Sequence, residues 1–154
     1  GENGFLVAAD ISARRHRRTV ANFAAAGMAA RSGLVVADAR RPQFRHACAG
    51  VVLLDVPCTN TAVFRRRPDA LWRFTEQRLT ELVQCQRELL DAAAPLVRTD
   101  GGLIYSTCSL ESEENEQQVG AFLQRHPEYE LVRQESLLPT AMHDGAYAAL
   151  LRRR

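Results

Sequence analysis

No lysine occurs anywhere in this 154-residue chain, so all 20 of its basic residues are arginine. Genome composition bias accounts for that more simply than function does, although arginine forks match phosphate geometry well. Set against 18 acidic residues, the net charge is only +2, too small to argue by itself for a nucleic-acid partner. Long apolar runs are missing as well. None approaches the roughly 18–20 residues that span a bilayer, and no secretory signal pattern opens the chain. The four cysteines, Cys48, Cys58, Cys85 and Cys108, show no C-x-x-C spacing, so neither a zinc site nor a disulfide framework is indicated. Reduced thiols, no metal, no membrane and a cytoplasmic location are the expectation.

What is present is one domain's worth of chain with ordinary globular composition. Residues 4–10 (GFLVAAD) read as a buried strand ending in an acid. Ser12 is placed to cap a helix over about 13–26, with Val20, Phe23 and Ala24 inward and Gly27 ending it. Residues 34–38 (LVVAD) and 51–55 (VVLLD) repeat the strand-then-acid pattern. A polar, arginine-rich loop over 59–68 precedes a long helix over roughly 75–94, striped by Leu79, Leu82, Val83, Leu89, Leu90 and Ala93. Trp72 is taken as an anchor for that helix. Gly101-Gly102 is expected to turn the chain into a strand over 103–105. Glu111, Glu113, Glu114 and Glu116 look like the first turn of a following helix, capped by Ser112 and carrying Val119, Phe122 and Leu123. Residues 129–132 and 146–151 suggest two final strands, before a solvated Arg152-Arg153-Arg154 end. The alternation predicts an α/β fold, a mostly parallel sheet with helices on both faces and an antiparallel C-terminal hairpin.

Four positions stand out chemically. Asp10 and Asp38 end apolar strands, where doubly wound folds use an acid to bind a ribose diol or an adenine amine; an aspartate there is equally a turn cap. Cys58, in Asp55-Val56-Pro57-Cys58, and Cys108, in Ser106-Thr107-Cys108-Ser109, lie at the ends of two expected parallel strands. If those strands are neighbours, both sulfurs face one crevice. Cys48 and Cys85 read as inert core cysteines. His16, His46 and His126 read as surface residues, and His143 receives no role.

DVPCTNTAVFRRRPD followed by LIYSTCSLESEENEQQV resembles the catalytic half of the RNA 5-methylcytosine methyltransferases of the Nol1/Nop2/Sun family. The bacterial 16S ribosomal-RNA branch (Sun, also called Fmu) is the nearest in pattern. VAADIS and VVADARR resemble that family's cofactor-binding strand ends, and HDGAYAALLRRR its closing strand. The resemblance implies a Rossmann-like fold, S-adenosylmethionine as cofactor and an RNA substrate, most simply rRNA. It implies Cys108 as the nucleophile that adds to cytosine C6, Cys58 as the group that helps release product, and Asp55 at the pyrimidine ring nitrogen. Asp10, Ile11, Asp38 and Asp55 are implied in cofactor binding. Arg65, Arg66 and Arg67 are candidates for RNA phosphate contacts, or simply a solvated loop.

Two departures from the family pattern affect expectations. Thr59-Asn60-Thr61-Ala62 stands where the family usually has Ser-Gly-Thr-Gly, which loosens the expected fit around the base. The Gly-rich loop after the family's first strand, and the lysine that follows it, have no counterpart. The chain is therefore expected to be a C-terminal catalytic fragment, residues 1–154 forming a partial domain without its first strand. Such a fragment is expected to be inactive alone and prone to oligomerise or exchange strands through exposed sheet edges. Competing readings are a non-catalytic RNA-binding or interaction module with the same fold, an unrelated α/β thiol enzyme, and a tRNA rather than rRNA methyltransferase.

Overall fold

The computed structural model describes residues 4–154, and the chain divides into two compact units, one running through Gln43 and the other Phe44–Arg154. In the first, strands β1 (Leu6–Asp10) and β2 (Ser32–Val36) pair in parallel, with Asp10 opposite Val36. Helix α1 (Ala13–Ala25) connects them. It ends as expected: Gly27 sits at φ 66°, and the N–H groups of Gly27 and Met28 reach back to the Ala24 and Phe23 carbonyls, a C-terminal motif that needs a left-handed residue there. Its start differs. Ser12 makes no side-chain cap, and Asp10 Oδ1 takes the Ser12 N–H instead at 2.7 Å. Val20 and Ala24 are exposed, whereas His16, expected at the surface, is the buried residue of the helix. Strand β2 lies two residues earlier than the apolar run suggested, so Asp38 follows it rather than ending it.

The second unit is a four-stranded sheet in the order β3-β4-β6-β5. Strands β3 (Ala49–Asp55) and β4 (Val97–Thr107) are parallel, joined by helices α2 (Pro68–Arg73) and α3 (Glu76–Ala93). After helix α4 (Glu116–Arg125), strands β5 (Tyr129–Leu137) and β6 (Ala146–Arg153) add the expected antiparallel hairpin. Residues 101–109 alternate strictly between buried and half-buried, the period-two signature of a strand with one face on a core. Leu103, Tyr105, Tyr147, Ala149 and Leu151 fill that face, beneath Leu89, Leu90, Val119 and Phe122 of α3 and α4. The opposite face is not covered to the same degree: Val51 and Leu53 are 62% and 64% exposed. Among the described residues β1 pairs with β2 alone and β3 with β4 alone.

Several local expectations are corrected here. Gly101-Gly102 is not a turn but part of β4, and a Cβ on Gly101 would lie 2.7 Å from the Arg98 carbonyl oxygen and 2.9 Å from that of Gly50. Close backbone approach, not chain reversal, demands glycine there. Helix α4 begins at Glu116, so Glu111, Glu113 and Glu114 lie in a preceding turn and Ser112 is not its cap. Trp72 is 87% exposed on α2 and anchors nothing, and Cys48 is exposed rather than core. The terminal arginines are paired: Arg153 Nη1 donates to the Val97 carbonyl at 2.6 Å, and Arg154 meets Glu130 at 2.7 Å. His126 is half-buried, stacked on Phe122 with ring centroids 4.4 Å apart and 3.0 Å from Asp91.

Phe122 is fully buried and also meets Tyr129 edge-on. Its removal leaves a cavity under the sheet, so Phe122→Ala is expected to cost about 3–5 kcal/mol in urea denaturation.

Candidate active site

Two loops leave the carboxyl ends of neighbouring parallel strands, the placement at which open α/β sheets hold ligands. Asp55 is paired with Ser106 in the β3–β4 ladder, so the segments 56–60 and 108–111 start side by side. Val56 N–H continues the ladder to the Ser106 carbonyl, and Ala62 N–H donates to the Cys108 carbonyl at 3.1 Å. These bonds bring Cys58 Sγ and Cys108 Sγ to 3.1 Å, with Cys58 buried and Cys108 half-buried. Cys85, in α3, and Cys48 take no part.

The two thiols are not equivalent. Cys108 N–H points at Cys58 Sγ at 3.3 Å, and Cys108 Sγ donates to Asn60 Oδ1 at 3.1 Å. That leaves the Cys58 S–H to donate to Cys108 Sγ. A hydrogen bond donated to a sulfur favours its thiolate, so the Cys58 contact pulls the Cys108 thiol below its ordinary value, against burial and the nearby Asp55 charge. The same contact pushes Cys58 far up, and burial adds to it. Cys108 is the sulfur poised to ionise; Cys58 keeps its proton. The expected helix N-terminus beyond Cys108 contributes nothing to this, because α4 begins eight residues later.

What holds the loops together was missed in the sequence. Glu114 is fully buried and accepts from Thr59 N–H at 3.0 and 3.2 Å, from the Thr59 hydroxyl, and from Gln86 Nε2 at 2.8 Å. Gln86, also fully buried on α3, donates as well to the Pro57 carbonyl at 2.9 Å. Because Glu114 accepts, the hydroxyls line up in one direction: Thr61 donates to Ser109 at 3.1 Å, Ser109 to Thr59 at 3.0 Å, and Thr59 to Glu114. Leu110 N–H closes the run on Thr61 Oγ1 at 2.8 Å. Thr59 and Thr61, which replace smaller or equivalent residues of the expected pattern, therefore stitch the Cys58 loop to the Cys108 loop. Tyr105 holds Glu114 from beneath through its hydroxyl, 2.7 Å from the Glu114 carbonyl. A run of four glutamates near a helix start signals a solvated dipole partner, and only packing singles out the one that turns inward.

Asp55 lies at the mouth of this arrangement, exposed, with Ser106 Oγ donating to its Oδ1 at 3.2 Å. The three loop arginines are exposed but engaged: Arg65 donates to the Ala141 carbonyl, Arg66 meets Asp144 at 3.1 Å and Arg67 meets Asp69 at 3.6 Å. Arg65 also borders a cleft of about 430 Å³ shared with Phe64, Phe74, Leu110, Pro139 and His143. A smaller recess of about 80 Å³ is bounded by Cys58, Asn60 and Arg67.

In the first unit, Asp10 and Asp38 lie near the carboxyl ends of adjacent parallel strands, tied by the Ala37 N–H to Asp10 carbonyl bond at 3.2 Å. The Arg15 guanidinium and then the Ser12 N–H hold the Asp10 carboxyl below its usual range, all three bonds falling on Oδ1. Arg40 does the same for Asp38. Ile11 is 62% exposed beside Asp10. Two acids and an exposed aliphatic at adjoining strand ends fit the hydroxyls and the flat face of a nucleoside.

Two measurements test this geometry. Alkylation of Cys108 by iodoacetamide, followed by peptide mass, should titrate below an ordinary thiol, and Cys58→Ala should move that profile to higher pH and slow alkylation at pH 7 several-fold. An unmoved profile would mean that Cys58 does not donate to Cys108. Glu114→Gln turns amide hydrogens toward the Thr59 N–H and Gln86 donors, and should lower stability by about 1–3 kcal/mol in urea denaturation.

The family model of the 16S rRNA methyltransferase RsmB/F matches residues 1–151. Ribosomal RNA small subunit methyltransferase B of Yersinia pseudotuberculosis is 49% identical over 80 residues, which is 52% of this chain and 19% of that protein. The crystal structure of PH0851 superposes with a TM-score of 0.89 at 34% identity, covering 96% of this chain and 37% of that one. NSun6 from Pyrococcus horikoshii, solved with SFG, gives 0.82 at 29% identity, covering 97% of this chain and 41% of that one. The chain thus spans well under half the length of these relatives. The fold is that of Rossmann-like S-adenosylmethionine-dependent methyltransferases, as a further match to such an enzyme from Aquifex aeolicus illustrates, with a TM-score of 0.60 at 10% identity. With a family model matched from residue 1 to residue 151, this chain belongs to the RsmB/F family of 16S rRNA methyltransferases.

Proposed function

We propose that this chain supplies the catalytic thiols of an S-adenosylmethionine-dependent RNA cytosine-C5 methyltransferase acting on rRNA. The observation that carries the reading is the asymmetric pair, one thiol 3.1 Å from another and favoured as its anion by that partner. Carbon 5 of cytosine is too poor a nucleophile to take a methyl group directly. Cys108 thiolate adds to C6, the C5–C6 π electrons move toward C5 and the ring, and a covalent enamine forms. The cofactor, when bound, supplies an electrophilic methyl group to C5. Asp10, Ile11 and Asp38 would hold its nucleoside, and Asp55 would meet the pyrimidine ring nitrogen.

Release then requires loss of the C5 proton and cleavage of the C6–S bond, with the electron pair returning to Cys108 as thiolate. The pairing with Cys108 is the first cause of the high Cys58 value. Once Cys108 is a neutral thioether that cause is gone, so Cys58 can give up its own proton to solvent and, as the thiolate, take the proton that leaves C5. A target base must leave its stack to reach sulfurs set in a cleft, and exposed Arg65, Arg66 and Arg67 would take flanking phosphates at the cost of their internal partners.

The chain alone is not expected to turn over, since it spans well under half of its relatives' length. The test therefore uses a chimera carrying these 154 residues in place of the matching segment of the Yersinia relative. Cys108→Ala should abolish methyl transfer to 16S rRNA, whereas Cys58→Ala should accumulate a covalent protein–RNA band on a denaturing gel. Absence of that band in an RNA-binding, correctly folded chimera would count against the two-thiol assignment. RNA binding without methyl transfer by the unmutated chimera would point to a non-catalytic RNA-binding module.

A further inference from the structure

Asn60 sits in the left-handed region, φ 63° and ψ 25°, where glycine or a short polar residue is favoured. Glycine would satisfy that backbone and leave the sulfurs alone. The asparagine does more. Its Nδ2 donates to the Cys58 carbonyl at 2.7 Å, and its Oδ1 accepts from Cys108 Sγ at 3.1 Å. The first bond decides which end of the amide faces the thiol, because the reverse orientation would set two carbonyl oxygens against each other.

We propose that Asn60 is a positioning residue for the Cys108 thiol, its amide oxygen taking the S–H and holding the sulfur against Cys58 until a pyrimidine displaces it. The proposal rests on the reading above for the part that Cys108 plays in the reaction. Cys108 then lies between two opposed neighbours. Cys58, from the loop after β3, donates to it and favours the anion; Asn60, two residues on, accepts from it and favours the neutral thiol. The charged groups facing Cys108 from the elements around it are Asp55 at the end of β3 and Glu114 in the turn before α4, and both oppose its anion. An exposed thiolate is the form most open to oxidation. A removable acceptor opposes ionisation of the nucleophile while the site holds no pyrimidine and releases it when one enters.

The test uses the 154-residue chain and needs no methyl transfer. Iodoacetamide alkylation of Cys108 is followed against pH by peptide mass for wild type, Asn60→Gly and Asn60→Asp. Both variants tolerate the left-handed backbone. Asn60→Gly should shift the profile to lower pH and raise the rate at pH 7 several-fold; Asn60→Asp, which sets a carboxylate beside the sulfur, should shift it to higher pH. A residue serving only the turn predicts that the glycine variant superimposes on wild type. That result, or an upward shift, overturns the proposal. Should far-UV circular dichroism show the glycine variant unfolded, the aspartate variant decides, and an unmoved or lowered profile counts against. Failure of the chimera to form an RNA adduct while the Asn60 shifts persist would remove the methyltransferase reading and leave Asn60 as the partner of the thiol.

Discussion

The site depends on one buried carboxyl group that, among the described residues, has no cation paired with it. The described partners of the Glu114 carboxyl are all hydrogen-bond donors: a backbone N–H, a hydroxyl and the Gln86 amide. Taking a charged group out of water costs several kcal/mol, and bonds to such a group return about 1.5–3 kcal/mol each. The balance closes only while every donor stays in place. The Cys58 loop, the Cys108 loop, the turn before α4 and the middle of α3 are therefore fixed together.

That rigidity matters because the chemistry depends on a sulfur–sulfur distance. Cys58 affects Cys108 by donating a hydrogen bond, an effect that weakens steeply with misalignment. Two loops free to drift apart would leave two ordinary thiols. Held at 3.1 Å, they become a pair in which one sulfur ionises readily and the other does not. The parallel pairing of β3 with β4 sets the approach, and the Glu114 hydroxyl chain fixes the final geometry.

Departures from the familiar family pattern look different in this light. Thr59 and Thr61 keep the hydroxyls that the chain of donors requires. Asn60 meets the backbone demand usually met by glycine and adds a contact to the reactive sulfur. Ala62 is buried, its N–H on the Cys108 carbonyl and its carbonyl on the Gly145 N–H, so it joins the loops rather than facing a base. The expected looseness is not found in the hydrogen bonding of this segment.

Short apolar runs, apolar helical stripes and the Gly27 stop made the strands, α1, α3 and the closing hairpin legible in the sequence, because those patterns express local backbone geometry. Cys58 and Cys108 were legible as candidates because each leaves an apolar strand for a polar loop. The inward turn of Glu114, the burial of His16, the exposure of Trp72 and the true start of α4 were not. Each is settled by which face meets a neighbour, and residue type carries no record of that. Which of the two thiols ionises is likewise a property of the fold, since it follows from the direction of a hydrogen bond between residues 50 positions apart.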